Sequence, residues 1–174
     1  MLKIPYRKIG TPIEKHILEK TKAFEWSTKA SPSSRESFLW LPYTRTNMTK
    51  VTIGIVNRNN KELLSGLLKS IDKYKPKANH EVLVIDNDST DGSIEMVKRE
   101  HKNVIIIQNK ENAGWAKAAN QIIQQSRAEY ILFLNEDMVV LENAIDALVY
   151  FLDQHPEVGS LSPKLLNPDG TIQV

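Results

Sequence analysis

Cysteine is absent from all 174 residues, which excludes a disulfide framework, a thiolate zinc site and a cysteine nucleophile. Histidine is scarce. His16, His80, His101 and His155 are scattered, without the short spacings that histidine metal ligands show. No apolar run approaches the ~20 residues needed to span a bilayer, and the N-terminus lacks the apolar segment of a secretory leader. A soluble, cytoplasmic protein is therefore expected. Neither G-x-G-x-x-G nor G-x-x-x-x-G-K-[ST] occurs, which argues against a dinucleotide oxidoreductase and a P-loop nucleotidase. Nor do serine, histidine and aspartate fall into a nucleophile–base–orienter pattern.

What is present is enough chain for one ordinary domain with a good core, and a charge split hidden in the net +2. Residues 1–50 hold ten basic against four acidic residues, a net of +6, whereas residues 51–174 hold thirteen against seventeen, a net of −4. A basic tail can engage nucleic acid or an anionic membrane surface. More often it is simply solvated, so no nucleic-acid partner is expected, and peripheral contact with the inner face of a membrane is the partner reading kept for it. Thr11-Pro12-Ile13-Glu14 carries a hydroxyl cap, proline at the first helical position and a glutamate three after the cap, predicting a helix from Pro12 to Phe24. Ser31–Ser37 reads as a linker. Phe38–Tyr43 is apolar and aromatic, but Pro42 limits it to an edge segment. We expect 1–48 to be an extension, with Met48 beside the start of the main domain at 49–174.

From Val51 the rhythm changes. Val51–Val56 is a β-branched run; Leu64, Leu67, Leu68 and Ile71 follow at helical spacing, predicting a helix over 61–73. Glu81–Ile85 and Val104–Ile107 read as further strands, with a helix begun by Ile94 and Val97 between them. Trp115, Ala118, Ala119, Ile122 and Ile123 form the stripe of a third helix, Tyr130–Leu134 a fourth strand, and Ile145, Leu148, Val149 and Leu152 a fourth helix ending before Pro156. Strand–helix alternation with short connections predicts an α/β fold, a Rossmann-like, mostly parallel sheet with helices on both faces. Right-handed crossovers then bring all strand-to-helix loops to one edge. That edge would carry Asn57–Asn60, Asp86–Ser93, Lys110–Gly114 and Asn135–Asp137, where open α/β sheets bind ligands.

Three of those loops carry polar chemistry. In Asp86-Asn-Asp-Ser-Thr-Asp91, turn and capping roles account for Asp91. Asp86 is read as the first residue past a buried strand, desolvated and in need of a partner such as a ligand N–H. Asn135-Glu136-Asp137 follows an apolar strand directly; oxygen ligands without histidine or cysteine suit Mg²⁺ or Mn²⁺, which take one or two carboxylates and let phosphates complete the shell. In Glu111–Asn120, Gly114 permits a turn or close backbone approach. Trp115 opens the apolar stripe and is expected in the core rather than against a base. Asn112 and Asn120 have no evident structural employment.

Taken together, Val51–Asn60, Val84–Ser93, Asn112-Ala-Gly-Trp-Ala-Lys-Ala-Ala-Asn120 and Phe133-Leu-Asn-Glu-Asp137 resemble, in order and spacing, the family 2 inverting glycosyltransferases, above all the branch similar to rhamnosyltransferases. The resemblance implies the GT-A fold, a UDP- or dTDP-sugar donor, a glycan or lipid-linked acceptor, and a role in cell-surface polysaccharide synthesis. It places Asn57 beside the base and Asp86 as acceptor for a pyrimidine N–H. Asp88, Asn112, Gly114, Asn120 and Asn135 would line the ribose and donor pocket. Asp137 would hold the divalent cation of the DXD motif, whose first aspartate is Asn135 here. The family's catalytic base is expected beyond Val174; Glu157 and Asp169 do not match it by motif position. The alternatives are a catalytically incomplete nucleotide-binding module that keeps donor binding, and, further off, a receiver- or flavodoxin-like domain.

Overall fold

The computed structural model describes residues 1–3 and 49–173, all within a compact unit of Met1–Ile4 and Asn47–Val174. The helix expected over Pro12–Phe24, the linker at 31–37, the segment Phe38–Tyr43 and Met48 lie outside the described residues.

Four parallel strands form the sheet: β2 (Val51–Asn57), β3 (His80–Asn87), β4 (Val104–Asn109) and β5 (Tyr130–Asn135), with a short antiparallel β1 (Leu2–Lys3) on the outer edge of β5. The order is β1-β5-β2-β3-β4. Leu2 and Lys3 thus join the sheet although they belong to the stretch read as an extension. Helices α1 (Lys61–Lys73), α2 (Ser93–Glu100), α3 (Trp115–Gln125) and α4 (Ala144–Gln154) alternate with the strands. Among the described residues none is long and apolar enough to cross a membrane.

β2 is the central strand, and all seven of its residues are buried. Its period-two alternation sends Val51, Ile53 and Ile55 to one face, where they pack with Leu64, Leu67, Leu68 and Ile71 of α1, Met96 and Val97 of α2, and Ile145, Leu148, Val149 and Leu152 of α4. The opposite face buries Val56, Leu83, Ile85 and Ile131 under Ala118 and Ile122 of α3. Connections through α1 and α2 step outward from β2 to β4. The connection through α3 returns past β2 to β5, and right-handed crossovers require a helix running that way to lie on the other face. α3 does. It packs closely because β2 has a glycine beneath it: a Cβ on Gly54 would sit 2.5 Å from Ile122 Cγ2. The direction of strand succession reverses between β2 and β5, so the crevice at their carboxyl ends is the topological switch point.

Candidate functional site

The register fixes what meets at that crevice. Asn57 pairs with Asp86 across β2 and β3, Val56 with Asn135 across β2 and β5, and Asn87 with Asn109 across β3 and β4. The loops at 57–60, 86–92, 110–114 and 135–137 therefore leave one edge of the sheet, as expected. A concavity of about 520 Å³ opens at the other, amino end of the strands, lined by Pro76, His80, Glu100 and Val104 among others. None of the predicted site residues touches it.

Asp86 lies within β3, not beyond it, and is 1% exposed. It is not without partners. Asn57 Nδ2 and Ser89 Oγ donate to its Oδ1 at 2.9 and 2.6 Å, and the Ser89 N–H donates to Oδ2 at 3.0 Å. Desolvation of Asp86 therefore does not demand a ligand, because the Asp86–Ser89 turn and Asn57 supply the donors. The unmet group is its neighbour. Asn57 is fully buried, and its Nδ2 is committed to Asp86 and, at 3.2 Å, to Ser89 Oγ. Turning the amide over would set an oxygen against the carboxylate, so this orientation is fixed. Asn57 Oδ1 is then a buried acceptor with no donor among the described residues.

Ser89, a capping candidate by residue type, instead ties the first two loops together. Besides its bonds to Asp86 and Asn57, its Oγ accepts from the Asn59 N–H at 2.9 Å, and Asn59 Oδ1 accepts from the Thr90 N–H at 2.8 Å. A serine three residues after an aspartate is a turn signature. Asn59 and Asp88 take left-handed backbone, with φ of 53° and 62°, as asparagine and aspartate tolerate in turns. Asp88 is exposed at its turn. Asp91 does more than the single cap expected. Its Oδ2 accepts from the Lys61 N–H at the start of α1 (2.8 Å), while Oδ1 accepts from the Ser93 N–H (3.0 Å) and the Ser93 hydroxyl at the start of α2. Burial by itself would raise this carboxyl, but the bonds from Ser93 and Lys61 outweigh it and hold Asp91 below the ordinary carboxylate range.

On the β5 side, Glu136 Oε1 accepts from Asn60 Nδ2 at 2.6 Å, a link between the 57–60 and 135–137 loops that no spacing rule revealed. Asn135 is exposed at the strand end, and its carbonyl accepts from the Met138 N–H at 3.2 Å. Asp137 is exposed and makes no hydrogen bond among the described residues. Among the described residues no three acidic or histidine side chains gather as a metal cluster. The donors at hand, Asn135, Glu136 and Asp137, are hard oxygens; with Glu136 engaged, Asp137 is the free carboxylate, which fits a cation completed by phosphate and water.

The third loop departs most from expectation. Asn112 is employed: its Oδ1 accepts from the Gly114 N–H at 3.1 Å. Gly114 has φ 77° and ψ 163°, a region essentially open only to glycine. Trp115 is not core. It is 55% exposed, its ring tilted 54° against Phe133 of β5 at 6.0 Å. Ile123 is exposed as well, so the stripe buries only Ala118, Ala119 and Ile122. Asn120 is exposed and lies on the outward side of α3, half a turn from both Ala118 and Ile122. Asn109, Asn87 and Gln121 form an amide network at the same edge, Asn109 Nδ2 donating to Asn87 Oδ1 at 2.7 Å and Gln121 Nε2 donating to Asn109 Oδ1 at 2.8 Å.

A sequence profile described as "Glycosyl transferase family 2" matches residues 52–166, more than half of the chain. The chain belongs to glycosyl transferase family 2. The fold of this family member is GT-A. Poly(ribitol-phosphate) β-N-acetylglucosaminyltransferase TarS of Staphylococcus aureus is 29% identical over 112 residues, 62% of this chain and 20% of that protein. Its crystal structure in complex with UDP-GlcNAc superposes with a TM-score of 0.57 at 27% identity, covering 62% of this chain and 32% of that one. The branch noted in the motifs is represented by N-acetylglucosaminyl-diphospho-decaprenol L-rhamnosyltransferase of Mycobacterium tuberculosis, 28% identical over 102 residues, 52% of this chain and 33% of that protein. The mannosyltransferase PcManGT of Pyrobaculum calidifontis, in complex with GDP-Man and Mn²⁺, superposes with a TM-score of 0.62 at 25% identity, covering 71% and 37%. This family member spans between 14% and 33% of the length of such curated relatives.

Proposed function

We propose that the chain binds the nucleoside-diphosphate sugar of an inverting glycosyl transfer to a hydroxyl acceptor. The observation that carries this reading is the crevice at the switch point of a family 2 fold, where Asn57 Oδ1 stands buried without a donor beside Asp86. A buried acceptor left unpaired costs about 1–3 kcal/mol, and the N–H of a pyrimidine base is the kind of donor it lacks. Asp86 then contributes its remaining acceptor capacity and, through Asn57 Nδ2, holds that oxygen in place. Asp88, Asn112 and Gly114 border the ribose and donor; Asn120, on the outer side of α3, has the weakest claim among the predicted contacts.

Transfer with inversion breaks the bond between the anomeric carbon and the diphosphate oxygen, leaving the electron pair on the diphosphate, as the acceptor hydroxyl oxygen bonds from the opposite side and gives its proton to a general base. A divalent cation, Mg²⁺ or Mn²⁺, supplies charge neutralisation of that leaving group when bound, and Asp137, with Asn135 beside it, is the residue to hold it. The complex of PcManGT with Mn²⁺ supports the cation, and that of TarS with UDP-GlcNAc supports a UDP donor ahead of dTDP. The names of TarS and the decaprenol rhamnosyltransferase support a polymeric or lipid-linked acceptor, in polysaccharide synthesis. A cytoplasmic site of action, with the basic residues 1–50 against an anionic membrane surface, completes the proposal.

Titration with UDP, dTDP and GDP, with and without Mn²⁺, tests it. Metal-dependent binding of at least one nucleotide that disappears in Asp137→Ala is expected; no binding of any of them to the wild-type chain would sink the reading. A second reading, donor binding without turnover, is favoured by the two acids downstream. Asp169 accepts from the Thr171 N–H and hydroxyl at 2.9 and 2.7 Å, and Glu157 is paired with His155 at 3.1 Å, so each is already committed and neither stands ready as a base. Brisk sugar transfer by these 174 residues alone would refute it.

A further inference from the structure

The exposed tryptophan at the crevice is unexplained by packing. α3 faces the sheet with small residues, Ala118 and Ala119, where it crosses β2, and with Trp115 where it overhangs the carboxyl edge. Among the described residues Phe133 is the aromatic neighbour of the indole ring, tilted rather than stacked. Phe133 is two residues before Asn135 on the same side of β5 and four before Asp137. More than half of the Trp115 surface is open to solvent.

The two sides of the crevice are chemically different. Asn57 and Asp86 share the face of Ile55 and Val84, toward α1, and offer buried polar acceptors. Trp115, Phe133 and Asn135 lie toward α3 and offer aromatic surface with an exposed amide. A nucleotide sugar has the same polarity along its length: a base with N–H donors, a diphosphate, then a pyranose whose C–H faces are apolar. With the base at Asn57 and the diphosphate at Asp137, the pyranose extends toward the α3 side. Resting on the donor-binding reading above, we propose that Trp115, buttressed by Phe133, is the platform on which the donor's pyranose ring stacks, a specificity-determining residue rather than a catalytic one.

The test compares each nucleotide with its sugar form on the intact chain in Mn²⁺: UDP against UDP-GlcNAc, and GDP against GDP-mannose, for wild type, Trp115→Ala and Trp115→Phe. For the pair that binds, Trp115→Ala should weaken the sugar form about ten-fold while the bare nucleotide stays within about two-fold, and Trp115→Phe should restore most of the loss. Equal weakening of both forms, or no change in either, overturns the platform while leaving donor binding intact. Failure of the wild type to bind any nucleotide overturns both. Trp115→Ala should keep the wild-type unfolding midpoint; if it does not, the Trp115→Phe and wild-type affinities decide, since phenylalanine keeps an aromatic face over Phe133.

Discussion

Asp86 and Asp137 share a charge but not a role in the fold, and substitution separates them. Asp86→Ala removes the acceptor for Asn57 Nδ2, the Ser89 hydroxyl and the Ser89 N–H at a site closed to water. It should cost about 2–3 kcal/mol in urea unfolding and lose nucleotide affinity as a consequence. Asp137→Ala takes away an exposed side chain with no hydrogen bond among the described residues, so stability should stay within about 0.5 kcal/mol while metal-dependent binding is lost. Asp91 makes a prediction in pH. Its carboxyl titrates lower folded than unfolded, so the stability it adds is complete above its ordinary value of 3.8 and is lost as pH falls through the lower folded value. Asp91→Asn keeps one acceptor and turns an NH₂ toward a backbone donor at one helix start. The variant should unfold at lower urea than wild type at neutral pH, with the gap narrowing as pH falls below 3.8. A gap that widened on acidification would contradict the double cap.

Between elements, the tightest constraint is the approach of α3 to β2. The Gly54→Ala methyl would lie 2.5 Å from Cγ2 and 2.9 Å from Cδ1 of Ile122, a side chain with no exposure and nowhere to move. We expect about 1–3 kcal/mol of destabilisation. In an Ile122→Ala background the same substitution should cost far less, a coupling that a double-mutant cycle in denaturant measures directly. Undiminished cost there would place the strain elsewhere. The consequence reaches the site, because α3 positioned over Gly54 is what sets Trp115 at the carboxyl edge beside Phe133.

For the whole unit, ligand linkage gives the simplest readout. If the four loops form one donor crevice, UDP with Mn²⁺ at about a hundred times its Kd should stabilise the fold by about 2.7 kcal/mol, visible as a raised Tm, and neither component alone should match it. Loop-to-loop ties such as Asn57–Asp86, Lys61–Asp91 and Asn60–Glu136 mean that ordering one loop orders its neighbours. A Tm indifferent to the pair of ligands would argue against a shared site.

The sequence alone determined the architecture, because β-branched runs and 3.6-residue stripes alternate without ambiguity from Val51 to Leu152, and crossover handedness leaves only one edge for the loops. It also named Asn57, Asp86 and Asp137 as residues of that edge. What only the tertiary structure decided is how those side chains are spent. Asp86 satisfies itself through Ser89 and through Asn57, 29 residues away, and Glu136 through Asn60, 76 residues away; hydrogen bonds between distant segments leave no periodic trace in a sequence. The exposure of Trp115 was hidden for a related reason. Helical spacing tells which side of α3 a residue occupies, but whether sheet lies beneath it depends on where the strands stop, and at Trp115 the helix has run past their end.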